Sequence, residues 1–315
     1  MILARMLHAL PALWAAATLV WGFMFIIPGD PARIFAGRIG DPRVLEAVRG
    51  EWGLDRPPVE RYLTWLGKVS RGDLGKSYSL RLPVAEILGR ALICTSFLAV
   101  AAAIVATLVG VSLGAAAARR GGLFDGALIT LTLAGISIPS FWLGLLLIVT
   151  FSSGLRWLPV SGYGEGLAIF GIHAPAFSNL MLPTVTLAAY PAALIARVTR
   201  AALLEQLSAE HVRAARARGI PASSVLWRHA FRSALAPVTT TVGLLVASLL
   251  GGAVATEIVF AWPGVGRAIF DALQRRDLPV VEGGVLLLTA IFLAVNLAVD
   301  LACASLDPRV RLGRG

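Results

Sequence analysis

The stretch HVRAARARGIPASSVLWRHAF, residues 211–231, carries four arginines and two histidines, yet it lies between long apolar segments of a very hydrophobic chain. Of the 315 residues, 57% are hydrophobic and 15% charged, too little polar surface to cover a soluble globule of this size. Lipid is therefore the expected solvent for most of the chain. A spanning helix needs about 20 mostly apolar residues, and six windows lack Asp, Glu, Lys and Arg. They are Met6–Gly29, Ala91–Ala118, Gly126–Leu155, Gly166–Ala196, Ser233–Thr256 and Gly283–Val299. The fourth is interrupted at His173 and Pro175, which leaves a span of about Phe177–Ala196; the sixth must continue past Asp300 toward Leu306 to be long enough. The first has a longer apolar run than a signal peptide and no small-x-small cleavage site, so it reads as an uncleaved span.

The net charge of +10 would suggest nucleic acid for a soluble protein, but in this chain it reads first as topology. With the amino terminus in the cytoplasm, thirteen Lys and Arg fall inside and four in the short outside loops. The other eleven lie between Pro28 and Arg90, a segment long enough to be exempt from the rule and offset by eight acids. Both termini are thus expected inside. Seven arginines between Arg197 and Arg232 would cost about 20 kcal/mol in the bilayer, which makes that segment a cytoplasmic loop.

Topology alone needs only two or three positive residues and a short turn. This loop instead reads as helix, break, helix. LLEQLSAEHVRAARAR consists of good helix formers, Gly219 suits a left-handed C′ position, Pro221 stops continuation, and Ser223 or Ser224 can cap a second short helix through VLWRHAF. Small side chains at Ala214, Ala215 and Ala217 permit close approach, as a docking element for a soluble partner would require. The alternative is a solvated basic loop that fixes topology or touches anionic lipid.

Elsewhere, Pro42 and Pro58 open short amphipathic helices in the first outside segment, the second with Val59, Tyr62, Leu63 and Leu66 on one face. RLPVAEILGR reads as an interfacial helix leading into the second span. GDLGKS resembles the end of a phosphate-binding loop, but Ser70 occupies the place of the required Gly and no buried strand precedes it, so the chain carries no ATPase of its own. Gly110 and Gly114 form a small-xxx-small pair suited to helix packing. Cys94 and Cys303 fall near opposite membrane faces and cannot pair, and no Cys/His cluster suggests a metal.

Polar groups inside spans are candidates for a translocation path or gate. Ser137, Ser140 and Thr240 either line a pore or hydrogen-bond neighbouring helices. Glu257, at the outer end of the fifth span, is either interfacial or a gate residue. Asn296 and Asp300, four residues apart, form a possible intramembrane polar pair, with a loop arginine as the cheaper partner for Asp300. No catalytic His/Asp/Ser grouping supports a membrane enzyme. An ion-coupled secondary transporter would carry an ionisable residue near mid-membrane, and the first five spans have none in their centres.

RAARARG, Arg213 to Gly219, resembles the E-A-A-x-x-x-G loop of the membrane subunits of bacterial ABC importers, with Arg213 in place of Glu. The longer EHVRAARARGIPASSVLWRHAFRSALAPV is similar to the dipeptide/oligopeptide/nickel permease version, with Phe231 and Arg232 where the general pattern has Leu-Pro. PGDPARIFAG, GLDRPPVERYLTWLGKVSRGDLGKS, SIPSFWLGLLLI, WLPVSGYG, ATEIVFAWPGVGRAIFDALQRRDLPVVEG and NLAVDLACASLDPRVR extend the resemblance, in order, over nearly the whole chain.

The resemblance implies the B-type subunit of a type I ABC importer: an all-α polytopic protein with six transmembrane helices in the bacterial inner membrane. It implies residues 1–92 as first helix plus extracytoplasmic segment, 93–303 as the five-span transport domain with a coupling loop at 197–236, and 304–315 as a cytoplasmic tail. Expected partners are a second, homologous permease in a heterodimer, two cytoplasmic ATPases that use ATP and Mg, an extracytoplasmic solute-binding protein and membrane lipid. No cofactor is expected on this chain. Arg213, Ala214, Ala215, Arg216, Gly219, Ser223, Ser224, Leu226 and His229 are the expected coupling residues, with the short helix after Gly219 as the lever. The cargo would be a dipeptide, an oligopeptide, a nickel chelate or a related small solute.

Overall fold

The computed structural model describes residues 11–22, 32, 42–164, 166, 168–169 and 172–306. Helix dominates, and among the described residues four helices are long and apolar enough to cross a membrane, five if one bent pair counts as a span. Of the first predicted window, only helix α1 (Pro11–Gly22) is described.

The chain divides into two compact units. One comprises Met1–Cys94 and Pro263–Leu293. In it, α2 (Pro42–Trp52) and α3 (Pro58–Val69) begin at the prolines that marked them. Asp41, a residue type suited to the N-cap before Pro42, lies outside the described residues. The apolar face expected on α3 is divided: Val59 and Leu63 are exposed, while Tyr62 is half-buried. Its ring meets Trp21 of α1 edge-on at 5.1 Å, and its hydroxyl lies 2.7 Å from Thr18 Oγ1.

A second core in this unit joins Val84, Leu88 and Ala91 from the start of α4 (Val84–Arg120) to Val265 and Ala272 of α11 (Val265–Gln274) and Val280 and Val281 of α12 (Leu278–Leu306). Gly284 of α12 makes this approach possible, since a Cβ there would lie 2.5 Å from Ile269 Cγ1. Asp277, just before α12, secures the loop opposite. Its carboxylate accepts from Ser77 Oγ at 2.5 Å, Tyr78 N at 2.9 Å, Ser79 N at 3.0 Å and Ser79 Oγ at 2.6 Å.

RLPVAEILGR does not form a separate interfacial helix. Its helical part is the start of α4, whose 37 residues extend about 55 Å at 1.5 Å per residue, well beyond a hydrocarbon core of about 30 Å. No proline or glycine cap interrupts it, so helix continues from the polar segment into the span. The last helix likewise runs to Leu306, as its length requirement predicted.

The other unit comprises Thr95–Trp262 and Ala294–Gly315. The third window is not one straight span. α5 (Gly122–Ser137) and α6 (Ser140–Leu147), which continues as a π-helical stretch to Gly154, meet at 104°. Ile138, at φ −77° and ψ 122°, is extended because it precedes Pro139, whose ring disfavours helix at the residue before it. A two-residue antiparallel ribbon, β1 (Ala168–Ile169) with β2 (Ile172–His173), precedes α7 (Phe177–Ser208), which starts where the interrupted window predicted.

α7 packs against α5, α6 and α10 (Phe231–Val259) at the centre of this unit. Gly110 and Gly114 let α4 approach α7 so closely that added Cβ atoms would lie 2.7 Å from the Ala192 carbonyl oxygen and 2.5 Å from that of Ala196. The small-xxx-small pair is thus a packing device.

Candidate coupling site

The basic stretch begins later than its composition suggested, because α7 carries Arg197 and Arg200 in regular helix down to Ser208. The run of helix formers predicts one helix from Leu203 to Arg218. The structure breaks it at Ala209, extended at φ −69° and ψ 149°, and starts α8 (Glu210–Ala217).

Past α8, Arg218 forms the C-cap and Gly219 takes φ +76°. Gly219 N bonds Arg216 O at 2.9 Å and Ile220 N bonds Ala215 O at 3.4 Å, the paired bonds of a Schellman motif. Ile220 packs on the core below, supplying the hydrophobic contact that commonly closes this motif. Gly219 therefore occupies the left-handed position expected of it.

The expected second short helix is not separate. Pro221 is the N-cap, α9 (Ala222–Ser224) passes into a π-helical stretch Val225–Ala230, and this passes directly into α10. No side-chain bond caps its start, so Ser223 and Ser224 stand in the first turn and cap nothing. The free-standing short helix is α8, before Gly219, and the segment after Pro221 is continuous with the fifth span.

One core cluster holds this hook. Val212 and Ala215 of α8 meet Val225, Leu226 and Ala230, together with Leu203 of α7 and Ala115 of α4. Ala215 and Leu226, expected at a partner surface, are thus internal. Arg213, Ala214, Arg216, Gly219 and Ser223 are exposed, and Ser224 and His229 are half-buried. Arg213, Arg216 and Arg228 make no ion pair among the described residues. Trp227, which the sequence reading passed over, is 52% exposed and meets Phe231 edge-on at 5.1 Å. The hook thus exposes small residues and one indole together with guanidinium groups.

At the base of the hook, Arg200 of α7 makes a bidentate ion pair with Asp125 in the first turn of α5. Nothing in the local pattern pointed to this pair, since its partners are separated by 75 residues.

The other candidates do not form one site. Ser137 is exposed and Ser140 half-buried, on either side of the Ile138–Pro139 bend. Thr240 is exposed, and its hydroxyl donates to Ala236 O of its own helix at 3.0 Å. Glu257 is fully buried and accepts from Thr95 Oγ1 at 2.7 Å. This carboxylate is packed inside the unit and does not face an open surface. The adjacent Thr256 hydroxyl and those of Thr184, Thr186 and Thr199 are buried without a hydrogen-bond partner among the described residues. Asn296 is half-buried, whereas the Asp300 side chain lies outside the described residues, as does that of Cys303. No cluster of potential metal ligands occurs among the described residues.

Residues 106–312 match the family described as the binding-protein-dependent transport system inner membrane component, and residues 1–99 match the amino-terminal region of such membrane components. The chain belongs to this family. The permease is 39% identical over 332 residues to the dipeptide transport system permease protein of Escherichia coli strain K12, covering 98% of each chain. It is 39% identical over 329 residues to the di/tripeptide transport system permease protein of Pseudomonas aeruginosa UCBPP-PA14, again covering 98% of each. Against the glutathione transport system permease protein of Escherichia coli O6:H1 it is 37% identical over 311 residues, with 98% of each covered. The permease is therefore a polytopic inner-membrane component of an ABC importer, a transport subunit and not an enzyme. ATP-hydrolysing and solute-binding partner proteins go with that role.

Proposed function

We propose that the permease passes small peptides into the cytoplasm as one half of a heterodimeric pathway, powered by two ATPase subunits that dock on the hook. The observation that carries this reading is the hook itself. Its inner face is fixed by the permease's own core, while its outer face presents Arg213, Ala214, Arg216, Gly219 and Trp227. A basic loop that served only topology would need neither the Schellman closure nor the buried Val212 and Ala215 beneath it.

Because α9 and the π-helical stretch run without interruption into α10, a displacement at the hook is transmitted directly into the fifth span. Closure of the ATPase pair on ATP and Mg would then rock the spans between inward-open and outward-open states. On this reading the hook and both termini lie in the cytoplasm and the long segment before α4 lies outside, as the arginine distribution supports. Peptide cargo is supported by the dipeptide, di/tripeptide and glutathione relatives, which favour short peptides over a nickel chelate.

Charge reversal of Arg213 and Arg216 to Glu is expected to lower ATPase co-purification and peptide uptake at least tenfold while the permease still inserts in the membrane, since rim charges govern encounter and register. Peptide uptake that persists in vesicles without any ATPase, driven by an ion gradient, would overturn the proposal in favour of a secondary transporter.

A further inference from the structure

Between α5 and α7, within the unit formed by Thr95–Trp262 and Ala294–Gly315, lies an open groove of about 410 Å³. Its walls are apolar, with Ile129 from α5 and Leu194 and Val198 from α7, and its charges are of one sign: Arg197 and Arg200 line it, and no Asp or Glu does. Thr132 supplies its other polar side chain, whose hydroxyl donates to Ile129 O at 2.9 Å. The two arginines differ. Arg200 is held by Asp125 through Nε and Nη2, which fixes the plane of its guanidinium and leaves Nη1 without a hydrogen bond among the described residues. Arg197, three residues earlier on the same face of α7, is exposed and makes no hydrogen bond or ion pair among the described residues.

Position along the helix decides what such a groove meets. Arg197 lies twenty residues after Phe177, the first residue of α7, a rise of about 30 Å at about 1.5 Å per residue, which equals the thickness of the hydrocarbon core. With Phe177 at the outer end, the Arg197 guanidinium stands at the level of the inner headgroups, and Leu194 lies about one turn deeper, among the acyl chains. The groove therefore presents cations at the membrane surface and an apolar wall below them. A phospholipid carries its phosphate and acyl chains in that same order, and a site with two cations and no lining acid favours one with a net negative charge.

We propose that this groove binds one anionic phospholipid of the inner leaflet, with its phosphate on Arg197 and on Nη1 of Arg200 and an acyl chain against Ile129, Leu194 and Val198. The assignment to the inner leaflet rests on the importer reading above; the match between groove and lipid does not.

The test titrates phosphatidylglycerol and, separately, phosphatidylcholine into the delipidated complete importer in detergent and counts retained lipids by native mass spectrometry. Arg197→Gln removes the free cation, and Ala201→Phe fills the groove from its exposed edge. Each is expected to raise the Kd of one phosphatidylglycerol about tenfold, with phosphatidylcholine bound about tenfold more weakly than phosphatidylglycerol by the wild type. Arg119→Gln, at an exposed arginine of α4 outside the groove, is expected to leave retention unchanged, and assembly with the ATPases shows that the variants fold. Unchanged retention in either groove variant, equal retention of phosphatidylcholine, or displacement of the lipid by an equal concentration of glycerol phosphate would overturn the proposal. So would a wild-type complex that retains no phosphatidylglycerol, as when the second permease covers the groove. Any of these results with the ATPases still bound leaves the importer reading intact. A permease that keeps its Arg197-dependent lipid but associates with no ATPase supports the groove and sinks the importer reading, and with it the assignment to the inner leaflet.

Discussion

Ala214 and Ala215 are identical side chains one residue apart, and the hook gives them opposite tasks. A step of about 100° around α8 turns Ala215 into the core with Val212 and leaves Ala214 beside Arg213 and Arg216 on the outer face. Replacing each with Trp separates these tasks. Ala214→Trp is expected to leave the permease folded and to block ATPase docking, measured as co-purified ATPase falling at least tenfold. Ala215→Trp overpacks a site with no free volume, which costs about 1–3 kcal/mol or more, and is expected to reduce the yield of monodisperse permease itself. Equal effects at both positions would contradict the inward and outward assignment. Glu257 makes a related point, because its position at the outer end of the fifth span marks it as interfacial or a gate residue, and the structure adds that it is fully buried and accepts a hydrogen bond from Thr95.

Among the elements, the contact of α4 with α7 depends on two missing side chains. Added Cβ atoms at Gly110 and Gly114 would meet the backbone of α7, which cannot yield as a flexible side chain could. Gly114→Leu is therefore expected to separate the two helices and destabilise the protein by at least about 1–3 kcal/mol, read as a lower midpoint of thermal unfolding in detergent. Gly89→Ala, on the same helix where an added Cβ meets nothing within 4 Å, serves as the control and is expected to leave that midpoint unchanged or slightly raised. The bend between α5 and α6 follows from Pro139 acting on Ile138, a local effect present in the sequence that the apolar window concealed.

For the molecule as a whole, the arginine distribution predicts sidedness. A fluorescent protein fused after Gly315 is expected to fold and fluoresce, as it does only in the cytoplasm, and alkaline phosphatase inserted after Gly72, in the loop before α4, is expected to be active outside. The reverse pattern would invert the topology and remove the hook from reach of any ATPase. The sequence by itself determined the membrane class, most span positions, the basic hook and its break at Gly219, because apolar length, charge and backbone permissiveness are properties of short stretches. It also carried the family resemblance, through motifs spread along the chain in order. Only the tertiary structure decided that α8 is the free-standing helix while the segment after Pro221 belongs to the fifth span, that Ala215 and Leu226 face inward, and that Asp125 holds Arg200. Each of those outcomes depends on packing between residues far apart in the chain, where identical local sequences can face either a core or a partner, and spacing alone does not distinguish the two.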